Sequence, residues 1–448
     1  MKCKRVLAVL LCAALLAAVA VVPAGAEQAC ECGAVVQVYL DGFGCALFYD
    51  IGTPEQRQVG VSITDNLTAD IFRLLGKVLL SLVTFNSKFA ADGVVDLLMS
   101  LMGHLCMDEQ GRSIEPITEI WRLDEGRDHT ASPEYTFTYD WRIDPYDAAD
   151  QLHEFVERLC EVTGHEKIAL TGFSEGASVS LAYIERYGTV RLETLILANG
   201  AWQGVTLVGE MLNMKLAVTG TSLTAFLAGL PDESGRLAPS MNVVGSLHLL
   251  DFISPMIKFI VRKLGDRVYE RGLIPLFGHM PAIWGFIPDE YYAESRHWLA
   301  GQEKYAYLLG KADAYHYNVQ TQAARLLTQA QEDGVKLGIV CGYGYAAVPA
   351  TQTQGYHTDS LIDTARASGG ATVAPFGKTL PASSSPYRSP DGVIDAATCL
   401  YPDRTWFIKG MRHENGPSRA WRQWFIHSDG QATVFDDERF PQYMKAGE

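Results

Sequence analysis

Short runs rich in β-branched and aliphatic residues alternate with segments of helical period along much of the chain. Val35–Leu40, Tyr135–Tyr139, Lys167–Phe173, Leu192–Ala198, Lys336–Cys341 and Thr405–Lys409 read as strands. Between the second and third, Ala148–Val162 puts Leu152, Phe155, Val156, Leu159 and Cys160 on one helical face, with Gly164 just past its end. A strand, a helix and a strand in that order predict a parallel crossover. The alternation as a whole predicts the α/β class, a mostly parallel central sheet with helices on both faces.

Two stretches break the alternation. Gly52 to about Glu115 and Val205 to about Gly334 carry helical patterns without matching strands, and read as insertions that together form a helical cap over one end of the sheet. Glu303–Gln331 has long helical character and returns the chain to the sheet, while Thr351–Pro390, rich in Ser, Thr, Gly, Ala and Pro, reads as an excursion with little core. Leu74–Leu105 and Leu247–Leu264 are apolar, but Lys77, Lys88, Asp92 and Asp96 interrupt the first and Asp251, Lys258 and Arg262 the second. Neither reads as a membrane span. Burial against the core is expected, with transient contact between the cap and a lipid surface as the alternative.

The N-terminus changes the picture of where the chain works. Lys2, Lys4 and Arg5 precede an apolar run from Val6 to Val22, then Pro23 and the small residues Ala24-Gly25-Ala26. This predicts a signal peptide over residues 1–26 and a secreted domain over 27–448, a retained membrane anchor being the competing reading. The chain carries 37 Lys plus Arg against 52 Asp plus Glu, a formal charge of -15, so nucleic acid is not an expected partner. Of nine cysteines, Cys3 and Cys12 belong to the leader, which leaves an odd number in the exported part. No CxxC pair or clustered His and Cys set is apparent, and Cys30-Glu31-Cys32 has the wrong spacing for a metal site, so neither metal nor cofactor is expected. Asn66-Leu67-Thr68 is an acceptor for glycosylation in a host that glycosylates.

The most informative segment is Thr171-Gly172-Phe173-Ser174-Glu175-Gly176, a Gly-x-Ser-x-Gly turn between the strand ending at Phe173 and the helical run Ala177–Tyr187. In such an elbow the serine takes a strained backbone conformation, and the glycines leave room for the neighbouring strand and helix. Ser174 is the candidate nucleophile, and the backbone N–H of Glu175 is one candidate oxyanion donor. The second is expected from the loop Gly42-Phe43-Gly44 after the first strand, at Phe43 or Gly44. A serine needs a base, and the base needs an acid to hold its tautomer. His413, in the loop after the last predicted strand, is preferred as base over His427. For the acid, Ser389–Asp395 offers Asp391, before a glycine in a turn, and Asp395, placed to cap the short helix through Cys399. Asp391 is preferred.

Asp41-Gly42-Phe43-Gly44, Tyr139-Asp140-Trp141-Arg142, the Ser174 elbow, Ala201-Trp202-Gln203-Gly204, Pro281-Ala282-Ile283-Trp284, Asp391-Gly392-Val393 and His413 follow one another in an order that resembles the lecithin:cholesterol acyltransferase-like α/β hydrolases. That family includes phospholipid:diacylglycerol acyltransferase and lysosomal phospholipase A. The resemblance covers about residues 34–416 and implies the α/β-hydrolase fold, with Ser174 as nucleophile, Asp391 as acid and His413 as base. It also implies a Cys341–Cys399 disulfide, with two buried free thiols as the alternative, and leaves Cys45 as a candidate partner for Cys106. The chain departs from the family at Phe173, where histidine is usual, and at Glu175. An anion pointing at the site would oppose an oxyanion, so Glu175 is expected to turn toward a cationic or polar partner such as Arg142, or toward solvent.

Acyl transfer through an acyl-serine is the expected chemistry. The apolar insertions, with Trp284, Phe286 and Ile287, and Trp202 near the site, predict a pocket for a lipid or long-chain acyl ester, with Trp202 and Trp284 as substrate contacts. Hydrolysis is preferred over transfer to an alcohol. The alternatives are a small-ester carboxylesterase or peptidase on the same fold, or a secreted binding protein without activity.

Overall fold

A computed structural model describes residues 30, 32–44, 47–49 and 57–59, parts of 73–87, and then 88–118, 121–215, 266–347 and 355–447. The expected leader, Cys45, the Asn66 acceptor site and the apolar run Leu247–Leu264 lie outside the described residues.

Strands buried on both faces read as unbroken apolar runs rather than as alternating ones. The chain has seven that assemble side by side: β1 (Gln37–Leu40), β2 (Glu134–Phe137), β3 (Ile168–Phe173), β4 (Leu192–Ala198), β5 (Lys336–Tyr343), β6 (Thr405–Lys409) and β7 (Tyr443–Lys445). All seven run parallel, in the order β2-β1-β3-β4-β5-β6-β7. Every residue of β3 and β5 is buried. Successive side chains feed two different cores: Leu195, Leu197 and Ile339 point to one, Ile196, Ala198 and Val340 to the other. Helices α1 (Pro145–Thr163), α2 (Glu175–Tyr187) and α3 (Ala323–Glu332) close the first core, and α4 (Arg419–His427) closes the second with Trp421 and Phe425. This is an α/β architecture with both faces covered.

Local chemistry fixes the ends of α1. Asp144 caps it by accepting from the Tyr146 amide at 2.8 Å, Pro145 opens it, and Gly164 ends it at φ 67°. Its buried face contains Leu152, Phe155, Val156, Leu159 and Cys160, as the helical period requires.

The first insertion differs from its sequence pattern. Besides the helix Lys88–Met102 it contributes Arg57–Val59 to a small antiparallel sheet with Leu47–Tyr49 and Ile117–Thr118. Strands of two or three residues are too short to leave a readable period. Nor is Glu303–Gln331 one helix: a 3₁₀ turn, the helix Ala306–Tyr315, a π segment at His316–Gln320 and α3 follow one another. The two insertions pack together, with Asp92 of the first held by Arg267 and Arg271 of the second at 2.7 and 2.6 Å.

Candidate active site

The order of strands reverses between β1 and β3, and it is beyond the C-terminal ends of the strands at such a point that open α/β sheets bind ligands. Ser174 stands there, one residue beyond β3, at φ 54° and ψ -117°. For a residue with a side chain this backbone costs about 1–3 kcal/mol and must be imposed by its surroundings. The surroundings are specific. A Cβ on Gly172 would fall 2.5 Å from the Gly176 carbonyl oxygen, and one on Gly176 would fall 2.7 Å from the Leu40 carbonyl oxygen. Both flanking glycines are therefore sterically required. The Ser174 amide donates to Ala198 O and its carbonyl accepts from Ala201 N, both at 3.0 Å, which fastens the turn to β4 and the loop after it.

His413 arrives from the loop after β6, and Ser174 donates its hydroxyl to His413 Nε2 at 2.9 Å. His413 Nδ1 lies 2.8 Å from Asp359 Oδ2. A carboxylate only accepts, so the proton sits on Nδ1 and leaves Nε2 free to receive the serine proton. Asp359 is itself fixed: its Oδ1 accepts from the amides of Leu361 at 2.9 Å and Ile362 at 2.7 Å, and its side chain is 2 % exposed. Gly342, near the end of β5, makes room for this arrangement, since a Cβ there would meet the Met411 carbonyl oxygen at 2.4 Å and Asp359 Cβ at 2.8 Å.

Asp391, preferred as the acid from the sequence, is not the partner of His413. Lys409 Nζ at 2.9 Å and the Tyr343 hydroxyl at 3.2 Å hold one of its oxygens, and the Ser389 hydroxyl at 2.7 Å holds the other. Burial alone would push this carboxyl up, but Lys409, Ser389 and the Val393 amide outweigh it and keep it below the ordinary carboxylate range. Asp395 does cap the turn Ala396–Thr398, accepting from the Ala397 amide at 3.0 Å. His427 ends α4 on the exposed surface.

One positioning residue escaped the sequence reading. Asn199, just past β4 and fully buried, takes φ 44°. Its side-chain oxygen accepts from Gly342 N at 2.7 Å, and its Nδ2 donates to the carbonyls of Arg412 and Asn415, both at 3.4 Å. It ties the histidine loop to the end of β5. An isolated asparagine after a strand gives no signal beyond its tolerance of positive φ.

Of the expected oxyanion loop, Gly42 is the residue pressed against the serine: a Cβ there would lie 2.4 Å from Ser174 Cβ and 2.8 Å from its Oγ. The next residue, Phe43, lays its partly exposed ring on Trp141, centroids 4.1 Å apart, and near Phe286 at 5.8 Å. Gly44 has φ 91°. Glu175 begins α2, so its N–H is one of the helix's unpaired amides.

The Glu175 side chain does not turn to Arg142. Arg142 is spent on Asp140, at 2.9 Å through Nε and 2.7 Å through Nη2, and on the carbonyls of Leu105 at 3.3 Å and Ile117 at 2.8 Å. Glu175 is fully buried, and neither carboxyl oxygen has a hydrogen-bond partner. Burial, and then the nearby Asp140, push its carboxyl well above the usual range, which favours its neutral form.

The tryptophans expected to touch substrate are in the core instead. Trp202 is wholly buried and donates to Ala367 O at 3.3 Å; Trp284 is buried and donates to Gly278 O at 2.9 Å. Cys341 and Cys399 are both buried free thiols rather than a disulfide, and so is Cys106. Burial pushes the Cys341 thiol far up and Cys399 up to about 12, where the hydroxyls of Ser368 and Thr405 attend the second sulfur. No family model and no curated protein matches the chain.

Proposed function

We propose that the protein is a serine esterase of the α/β-hydrolase fold, acting on a lipid or long-chain acyl ester through an acyl-serine intermediate. The observation that carries this reading is the unbroken sequence of hydrogen bonds from Asp359 through His413 to Ser174. Supporting it are the nucleophile at a strand-to-helix elbow, the acid beyond β5 and the base beyond β6, the chain order Ser, Asp, His of that fold.

In the first half-reaction His413 Nε2 takes the Ser174 proton as Oγ attacks the ester carbonyl. The negative charge that develops on the carbonyl oxygen meets the amide of Glu175 and an amide of the Gly42–Phe43 stretch. His413 then returns the proton to the departing alcohol, leaving an acyl group on Ser174. Water, deprotonated by the same imidazole, releases the acid and restores the serine. Asp359 holds the imidazole in the useful tautomer and offsets its charge when it is protonated. The partly exposed ring of Phe43, next to Gly42 and backed by the buried Trp141 and Phe286, favours an apolar acyl chain. The paired insertions are proposed as the cap over it, and the resemblance to lecithin:cholesterol acyltransferase-like enzymes and the expected leader support a reading of export and a lipid substrate.

A fluorophosphonate probe followed by mass spectrometry tests the reading. Labelling at Ser174, lost in Ser174→Ala with folding retained, is the expected result. Turnover of a chain-length series of p-nitrophenyl esters should rise from acetyl toward longer acyl groups. A chain that neither labels nor turns over any ester sinks the proposal.

A further inference from the structure

The structure assigns a second site, at the opposite end of the sheet: we infer that Cys30, Cys32, His129 and His165 form a structural zinc centre. Their ligand atoms, two sulfurs and two ring nitrogens, all lie within 4.8 Å of one another. Cys30 Sγ is 3.4 Å from His129 Nε2, and Cys32 Sγ is 3.4 Å from His165 Nε2. Zinc–sulfur bonds of about 2.3 Å and zinc–nitrogen bonds of about 2.0–2.1 Å in a tetrahedron put neighbouring ligand atoms roughly 3.3–3.8 Å apart. The observed pairs fall in that range without moving.

The fold explains why residues so distant in sequence meet. β2, β1 and β3 are neighbours, and the cysteines precede β1, His129 precedes β2 and His165 precedes β3. The three approaches to the sheet therefore converge at its N-terminal edge. The Cys30 amide donates to Gly164 O at 2.8 Å, beside His165, and the Ala34 amide donates to Cys32 Sγ at 3.4 Å, a contact that favours thiolate. Two thiolates and two neutral imidazoles suit a borderline-soft dication that accepts tetrahedral geometry, and four protein ligands leave no open position for chemistry. Binding converts two thiols and Zn²⁺ into a neutral bis-thiolate centre with release of two protons. Its role is to clamp the start of the domain to two loops of the sheet. The expectation of no metal came from spacing along the chain, and the sulfur–imidazole pairs are 99 and 133 residues apart.

Elemental analysis of the full chain, purified without chelator, should find about one zinc per molecule. His129→Asn and His165→Asn should each lose most of it. Replacement with Co²⁺ in the unmutated chain should give the visible bands of a tetrahedral ion and a sulfur-to-metal charge-transfer band, both absent in Cys32→Ser, and chelation should lower the thermal midpoint by several degrees. Failure to retain zinc after reduction, incubation with excess Zn²⁺ and dialysis overturns the inference, as does a Cys30–Cys32 disulfide in the native protein. None of these readings depends on ester hydrolysis.

Discussion

Asp359 Oδ2 stands 2.8 Å from His413 Nδ1, while the other oxygen of that carboxylate is held by two backbone amides. The carboxylate is thus committed to one orientation before the imidazole is considered. Asp359→Asn should lower kcat by on the order of 10⁴-fold, because an amide facing Nδ1 stabilises the wrong tautomer. Asp391→Asn, which weakens the half-exposed pair with Lys409 and the contact with the Tyr343 hydroxyl without touching His413, should leave kcat within a few-fold and cost on the order of 1 kcal/mol of stability. Ester turnover by the two variants decides the matter; the reverse ranking would return the acid to Asp391.

Gly42 is the position where the least added volume does the most harm. Gly42→Ala sets a methyl 2.4 Å from Ser174 Cβ. Displacement of the nucleophile or of the loop by about 1 Å should lower kcat by roughly 100-fold. Stopped-flow turnover and the rate of fluorophosphonate labelling should fall together, and a variant as fast as the parent would mean that the loop gives way freely.

Asn199→Ala leaves the Gly342 amide without its acceptor and the histidine loop without its tether. The expected cost is about 1–3 kcal/mol of stability, with kcat reduced about 10- to 100-fold and KM little changed. A KM effect without a kcat effect would show that Asn199 does not act through His413.

Glu175 gives the stability a pH dependence whose sign is fixed. Its folded carboxyl keeps a proton well above the ordinary value of 4.5 at which the unfolded chain loses it. Between those limits the folded state binds more protons, so stability is highest below 4.5 and declines as pH rises, by at most about 1.4 kcal/mol per pH unit. Asp144, raised to about 6 mainly by burial, adds a smaller decline between its ordinary value and that pH. Urea unfolding from pH 5 to 8 should show a flatter profile for Glu175→Gln than for the parent, and parallel profiles would mean the carboxyl is hydrated and charged.

Much of the sheet was legible because its strands are long enough to carry a signal. Leu192–Ala198 and Thr405–Lys409 match their apolar runs from end to end, and the glycines around Ser174 mark a turn that few other sequences allow. Periodicity is silent where structure is built from turns. Asp359 lies in the polar excursion Thr351–Pro390, held by an Asx-type turn rather than by any repeating pattern, whereas Asp391 looks more prominent only because a glycine follows it. The edge strand β7 is three residues long and the small antiparallel sheet no longer, so neither leaves a trace. Glu175 shows a different limit: its sequence states a charge, and only its enclosure reveals that the charge is disfavoured.

Arg142 joins the turn after β2 to Leu105 and Ile117, near the far end of the first insertion, through one guanidinium. The insertion is consequently pinned at its foot to the turn that follows β2. Loss of that one side chain would release the foot and the turn together.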